Sequence, residues 1–261
     1  MTVRARDYTA TVARRVQVSP HLVRLVLTDL EGPDAFVSTG IPDEWVGLVV
    51  PGQFQSRYYT VRSWDGTELV VDVVVHDEGL VTEWACSSTG RDCTGEQVTL
   101  SEPKGSFAMS STATWLMLVG DLTAMPAMAR ILRETDVPTR VWAEVPDDLP
   151  DYLPVGADVT WLVPPAEGLS ALASVVQSID WPDGEGYFWM AGESSQMRAI
   201  RKHLMREVRL PSTAYDVMGY WRGGATRQPR AVDPGPIWRA GKAAGRSDEE
   251  IWAEYDDARS Q

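Results

Sequence analysis

The chain has 261 residues, enough for one large core or two compact ones, and two is the expectation. A formal net charge of -13 excludes duplex nucleic acid and anionic membranes as principal partners, since both are held by clustered Lys and Arg. Two cysteines spaced wider than Cys-x-x-Cys and three scattered histidines exclude a disulfide framework and offer no zinc or His-Glu-x-x-His pattern, so no metal site is expected.

No apolar run reaches the roughly 18 residues of a membrane span, and MTVRARDYTATVARRVQVSP has no apolar signal core. A cytoplasmic protein without membrane insertion is expected. From residue 8 to about 107 the runs YTATVARRVQV, HLVRLVLTD, EWVGLVV, RYYTVRSW, ELVVDVVVH and QVTLSEP are short, β-rich and separated by turns. That texture predicts an antiparallel barrel or sandwich. One helix interrupts it over residues 80 to 88, with Leu80, Val81 and Trp84 at helical spacing.

After the polar SSTAT link the texture changes. WLMLVG is a continuous apolar strand, TAMPAMARILRE is helical, and TRVWAEV is again a strand. The alternation continues through DVTWLV, GLSALASVVQSI, GYFWMAG, SSQMRAIRKHLMREV and AYDVMGYW, which predicts a parallel sheet with crossover helices. From Gly223 to Gly245 a segment rich in Gly, Pro and Arg reads as a linker, and SDEEIWAEYDDA as an acidic terminal helix opened by a Ser247/Glu250 capping box. Ile251, Trp252 and Tyr255 give this helix a small apolar stripe. The predicted domains are therefore 1–110, 111–223 and a tail of 224–261.

The first βα turn of the second domain, GDLTAMPA, follows an apolar strand and opens a helix, where an open α/β sheet binds a nucleotide. It lacks the G-x-G-x-x-G pattern. Gly120 admits a close backbone, Thr123 caps the helix or contacts phosphate, and Pro126 suits the first helical turn. Gly192 and Glu193 stand at a second strand end of the same kind.

A barrel followed by a β/α domain, with Arg57-x-Tyr59-Thr60 in the barrel, resembles the ferredoxin-reductase-like flavoenzymes. RYYTVR, DVVVHDEG leading to Trp84, PKGSF, GDLTAMPA, MAGESSQMRAIRKHL and GYWRGG, in this order over roughly residues 5 to 223, resemble more specifically the siderophore-interacting proteins, the NAD(P)H-dependent ferric-siderophore reductases. The resemblance implies FAD between the domains and NADH or NADPH as electron donor. It implies a ferric siderophore as acceptor and release of Fe(II).

On that reading the flavin residues are Arg57, Tyr59, Thr60, Arg62, His76, Gly79, Thr82 and Trp84. The guanidinium meets pyrophosphate, the Tyr59 ring lies against isoalloxazine, and Thr60 stands near N5. His76 either faces the flavin or ends a strand. The nicotinamide residues are Gly120, Asp121, Thr123, Ala124, Glu144, Gly192 and Glu193. Glu144 with Asp147 and Asp148 suits a ribose hydroxyl better than a 2′-phosphate and so favours NADH.

Trp221 and Arg222 are assigned to the substrate mouth, with Lys104 as a further cation. The sequence departs from the family pattern at Gly47, where a lysine is usual, at Gly79-Leu80-Val81 in place of Gly-Pro-Ala, and at Leu122 in place of glutamate. Two alternatives therefore remain: a flavin reductase for another acceptor, and a flavin-binding sensor or siderophore-binding module without turnover. The sequence assigns no oligomeric state.

Overall fold

The computed structural model describes residues 7–32, 34–53, 55–75, 79–86, 92–165, 170–223, 234–247 and 250–251. The first 101 residues supply six strands: β1 (Asp7–Ser19), β2 (Leu22–Glu31), β3 (Trp45–Val49), β4 (Arg57–Trp64), β5 (Leu69–Val74) and β6 (Gln97–Ser101). They close into an antiparallel barrel in the order β1-β2-β5-β4-β3-β6. The alternation read from sequence becomes the inward set, with Tyr8, Ala10 and Val12 of β1 buried and the residues between them partly exposed. Helix α1 (Leu80–Ala85) packs Val81 and Ala85 against this barrel core.

The second domain holds β7 (Trp115–Asp121), α2 (Met125–Glu134), β8 (Thr139–Glu144), β9 (Asp158–Leu162), α3 (Leu172–Ser178), β10 (Gly186–Glu193), α4 (Ser194–His203) and β11 (Tyr215–Trp221). All five strands are parallel, in the order β11-β10-β7-β8-β9. Every residue of β7 is buried, which is why it is a continuous apolar run: a central parallel strand is covered on both faces. Each fully buried Leu there contributes about 1.5–3 kcal/mol.

The expected linker contains a further helix, α5 (Pro234–Ala243), which corrects the sequence reading. Gly241 permits it. A Cβ there would strike Ile251, so the missing side chain lets the next helical segment pack close. The Ser247/Glu250 capping box forms as expected, with Glu250 Oε2 accepting from Ser247 N at 2.8 Å. Trp252 and Tyr255 lie outside the described residues.

Four polar clasps join the two domains. Asp43 of the barrel accepts from Trp189 Nε1 at 3.2 Å and from the backbone N–H groups of Ser106 and Phe107. Next to it, Glu44 accepts from Arg130 of α2 at 3.3 Å, and the same guanidinium donates to the Val61 carbonyl at 2.9 Å. Asp72 accepts from Tyr152 Oη at 2.5 Å and from Arg24 through both Nε and Nη2. Asp147 accepts from the Ser19 hydroxyl and from both the backbone and the ring of His21. The acids of the first three clasps are almost wholly buried, so each needs its donors to offset desolvation.

Candidate nucleotide and flavin site

Strand order reverses between β7 and β10, with β8 and β9 on one side and β10 and β11 on the other. Such a reversal opens a crevice at the carboxyl ends of the flanking strands, because their connections leave toward opposite faces of the sheet. Gly120 and Asp121 end β7, Ala191 to Glu193 end β10, and Ala191 lies directly beside Gly120. GDLTAMPA and AGE therefore meet at one crevice, as their strand-end placement suggested.

Three acids stand in a row there. Glu144, Asp121 and Glu193 end β8, β7 and β10, with Glu144 the register partner of Asp121. Each folds back on the protein. Glu144 is 2% exposed and accepts from Ala171 N at 2.7 Å. Asp121 accepts from Thr123 N at 2.9 Å, from the Thr123 hydroxyl at 2.5 Å and from Trp221 Nε1 at 2.6 Å. Glu193 caps α4 through Ser195 N and also accepts from Gly223 N. Burial pushes the Asp121 carboxyl up, with the Thr123 and Trp221 hydrogen bonds offsetting only part of it.

These contacts alter several assigned roles. Thr123 does not cap α2, because its hydroxyl is given to Asp121, and the N-cap position is Ala124, which offers no side-chain cap. Pro126 stands in the first turn as expected, while the Met125 and Met128 amides donate to the Leu122 and Ala124 carbonyls and the residues of that turn are buried. Ala124 is fully buried and its methyl packs where a Gly120 side chain would stand, so Gly120 serves helix–strand packing. Gly192 has φ 154°, and a Cβ there would come within 2.6 Å of Asp121 Oδ2, so only glycine fits. Glu144 and Asp147 are both spent on protein donors, which leaves Asp148 as the exposed carboxylate of the three. The strand-end argument for NADH loses its main support.

On the barrel side, β4 carries the flavin motif. Arg57 is exposed and pairs with no carboxylate among the described residues. Tyr59 packs partly buried on the barrel core, which pushes its phenol up, and Arg57 is near enough to offset this slightly. The ring left open to solvent is that of Tyr58, 71% exposed. Thr60 is buried at the domain seam. Across the seam the Tyr220 hydroxyl is shut from solvent and has no well-formed hydrogen bond among the described residues; burial and the Asp43 charge push its phenol up, and the Thr60 hydroxyl is close enough to offset this in part. An orphaned hydroxyl of this kind costs about 1–3 kcal/mol unless a ligand meets it.

Gly79 opens α1 with φ 153° and no side-chain cap, and the space where its Cβ would stand is open apart from Thr82. The Thr82 hydroxyl lies 3.5 Å from the Val74 carbonyl. The Arg57 cation, the Thr60 hydroxyl, the uncapped Gly79 turn and the orphaned Tyr220 hydroxyl fit a dinucleotide flavin laid along the seam. Two expected members are not brought to it. Trp84 donates its indole N–H to Glu96 at 2.8 Å and packs on the barrel core. Arg62 is 8% exposed, stacks on Tyr152 with its guanidinium 4.1 Å from the ring centre, and donates to the Tyr152 carbonyl at 3.1 Å. His76 lies outside the described residues.

Of the mouth residues, Trp221 is tied to Asp121, while Arg222 and Lys104 are exposed. Lys104 pairs through its backbone with Trp45. Gly47, where a lysine was expected, is buried, and its Cβ position lies 3.1 Å from Ser101 Oγ and 3.2 Å from Ser56 Cβ. Sequence reasoning missed Asp43, Arg130, Trp189 and Tyr220. A signal existed for Arg130, a lone cation among the small and apolar residues of MPAMARIL.

The arrangement agrees with what the chain is similar to. Residues 53–107 match the model of the siderophore-interacting FAD-binding domain, and residues 113–224 match that of the siderophore-interacting protein. Ferric vibriobactin reductase ViuB of Vibrio cholerae is 31% identical over 184 residues, 66% of this chain and 66% of that protein. The mycobactin import ATP-binding/permease protein IrtA of Mycobacterium tuberculosis is 28% identical over 247 residues, 88% of this chain, but the chain spans only 28% of its length. The solved siderophore-interacting protein of Acinetobacter baumannii superposes with a TM-score of 0.72 at 21% identity, covering 92% of this chain and 98% of that one.

Proposed function

Since the chain belongs to the siderophore-interacting protein family, as a siderophore-related flavin oxidoreductase, we propose that it carries electrons from NAD(P)H through FAD to a ferric siderophore and releases Fe(II). One observation carries this reading: an exposed Arg57, without a carboxylate partner among the described residues, lies three residues from Thr60, and Thr60 is buried beside the Tyr220 hydroxyl, which has no well-formed hydrogen bond among those residues. Bound FAD would supply the chemistry, accepting hydride and giving single electrons.

The chain's own residues do the rest. Arg57 holds pyrophosphate by charge-assisted hydrogen bonds, Thr60 and Tyr220 fix the ring end by hydroxyls from both domains, and Trp189 and Tyr220 close the seam to water with their edge-to-face rings 6.4 Å apart. The nicotinamide cofactor would lie at the crevice where β7 and β10 end side by side. No side-chain acid, base or nucleophile is required.

Replacing Arg57 by Ala tests the reading. It removes a contact of about 1.5–3 kcal/mol, so FAD affinity falls about tenfold to a hundredfold by fluorescence titration. Wild-type protein that cannot be reconstituted with FAD overturns it. A second reading, reduction of an acceptor other than a ferric siderophore, is favoured by Gly47, which leaves no cation where the family uses one. NAD(P)H oxidation with and without a ferric chelate separates the two.

A further inference from the structure

Arg62, at the end of the RYYTVR segment, lies with Arg24 and Arg133 near the domain seam. Arg24 is spent through Nε and Nη2 on Asp72, at 2.7 and 2.8 Å. Arg62 lies 3.7 Å from the same carboxylate, and its Nη1 is buried without any partner. Arg133 follows Arg130 by three residues on α2, and Arg130 grips the carbonyl of Val61, the residue before Arg62. Arg133 is therefore one helical turn along the face that packs on β4. It is exposed and has no carboxylate partner among the described residues. Burial and then the Arg62 charge push its guanidinium down, and Arg24 adds to the effect.

Arg24 and Arg62 thus share the Asp72 carboxylate, which also accepts from the Tyr152 hydroxyl, and Arg133 is close enough to both guanidinium groups to feel their charge, with Glu134 the acid that acts on it, in a chain whose net charge is -13. Counting Arg130 with its two acids, Glu44 and Glu134, four arginines face three carboxylates here, and a local excess of positive charge with one buried N–H donor unspent is a state that a bound anion relieves. We propose that this seam cluster binds a phosphate-sized oxyanion, seated on Arg133 and Arg24 with Arg62 behind it, and that the bound anion braces the barrel against the second domain.

The cluster is distinct from the pyrophosphate and nucleotide contacts, although Arg62 stands two residues past Thr60 on β4. Arg133 stands in the last turn of α2 whereas the nucleotide crevice is at its beginning, about 12 Å away along the helix. Arg62 and Arg57 are five residues apart on β4, about 17 Å.

Inorganic phosphate titrated into the full chain with excess FAD, against chloride at matched ionic strength, tests the proposal. Phosphate should raise the melting temperature saturably, by about 3–6 °C at ten times its midpoint concentration, and chloride should not. Arg133→Gln should weaken the midpoint at least tenfold and Arg133→Lys should restore most of it, while Thr123→Ala at the crevice leaves it unchanged. Arg133 is exposed, so these variants do not risk the fold. A rise that chloride reproduces, that survives in Arg133→Gln, or that disappears in Thr123→Ala overturns the assignment.

Discussion

Removing the Arg130 guanidinium should cost far more than its single ion pair suggests. Arg130 is 7% exposed and Glu44 is fully buried, so Arg130→Met leaves a carboxylate in the seam without its counter-charge. Breaking one partner out of a buried pair costs about 3–5 kcal/mol. Here Glu44 keeps the hydroxyl of Ser38 and both the backbone and hydroxyl donors of Thr39, which places the loss at the lower end. The Val61 carbonyl also loses its donor, at about 1 kcal/mol, and the exposed Glu134 pair adds less than that.

The expected destabilisation is about 4–5 kcal/mol, or about 8–20 °C in melting temperature for a chain of this size. Urea unfolding followed by tryptophan emission measures it. Arg130→Lys should recover only part, since one ammonium cannot serve Glu44 and Val61 in the same fork geometry. A loss below 1 kcal/mol in Arg130→Met would show that Glu44 is solvated or protonated and that this clasp does not hold the domains.

Three further outcomes follow from the site and its neighbours. Burial raises the Asp147 carboxyl, but hydrogen bonds from Ser19 and His21 outweigh this and hold it below the usual carboxylate range. Its clasp therefore stabilises the fold above the unfolded pKa of about 4 and is lost as pH falls through the lower folded value, so wild type and Asp147→Asn should differ in melting temperature at pH 7 and converge in acid. With Glu144 and Asp147 engaged, NADH and NADPH should reduce the flavin with efficiencies within about tenfold of each other in stopped flow, and a hundredfold preference would show that another group reads the 2′ position. Gly47→Lys must displace the Ser56 and Ser101 side chains by a few tenths of an ångström. If it folds, it should speed association with an anionic ferric catecholate at low salt, and an unchanged salt slope would remove position 47 from the acceptor mouth.

The barrel, the parallel sheet and nearly every strand could be read from alternation and apolar runs, because those patterns are imposed by which faces are covered. Linker chemistry misled at Pro234–Ala243: its prolines and glycines read as loop, yet the prolines stand at the helix start, where they are tolerated, and Gly241 admits a neighbouring helix. The site was legible as strand ends and as Arg57 to Thr60, since position along a strand is local information. What each acid does there was not. Glu144, Glu193 and Asp147 find their donors in Ala171, Gly223 and His21, far along the chain, and no local pattern says whether a carboxylate meets ligand or backbone.

Asp43 and Glu44 are consecutive, yet they reach different parts of the second domain, β10 and α2. A body held at one point can swivel freely, whereas one held at two can turn only about the line through them. The Tyr152 contacts to Asp72 and Arg62 supply a third point, from a different loop. Three non-collinear points leave a rigid body no rotation at all. These contacts resist hinging of the domains, so the spacing between Thr60 and Tyr220 is set by barrel and sheet together, and on the proposed function side-chain movement at Trp221 is the easier route for a cofactor.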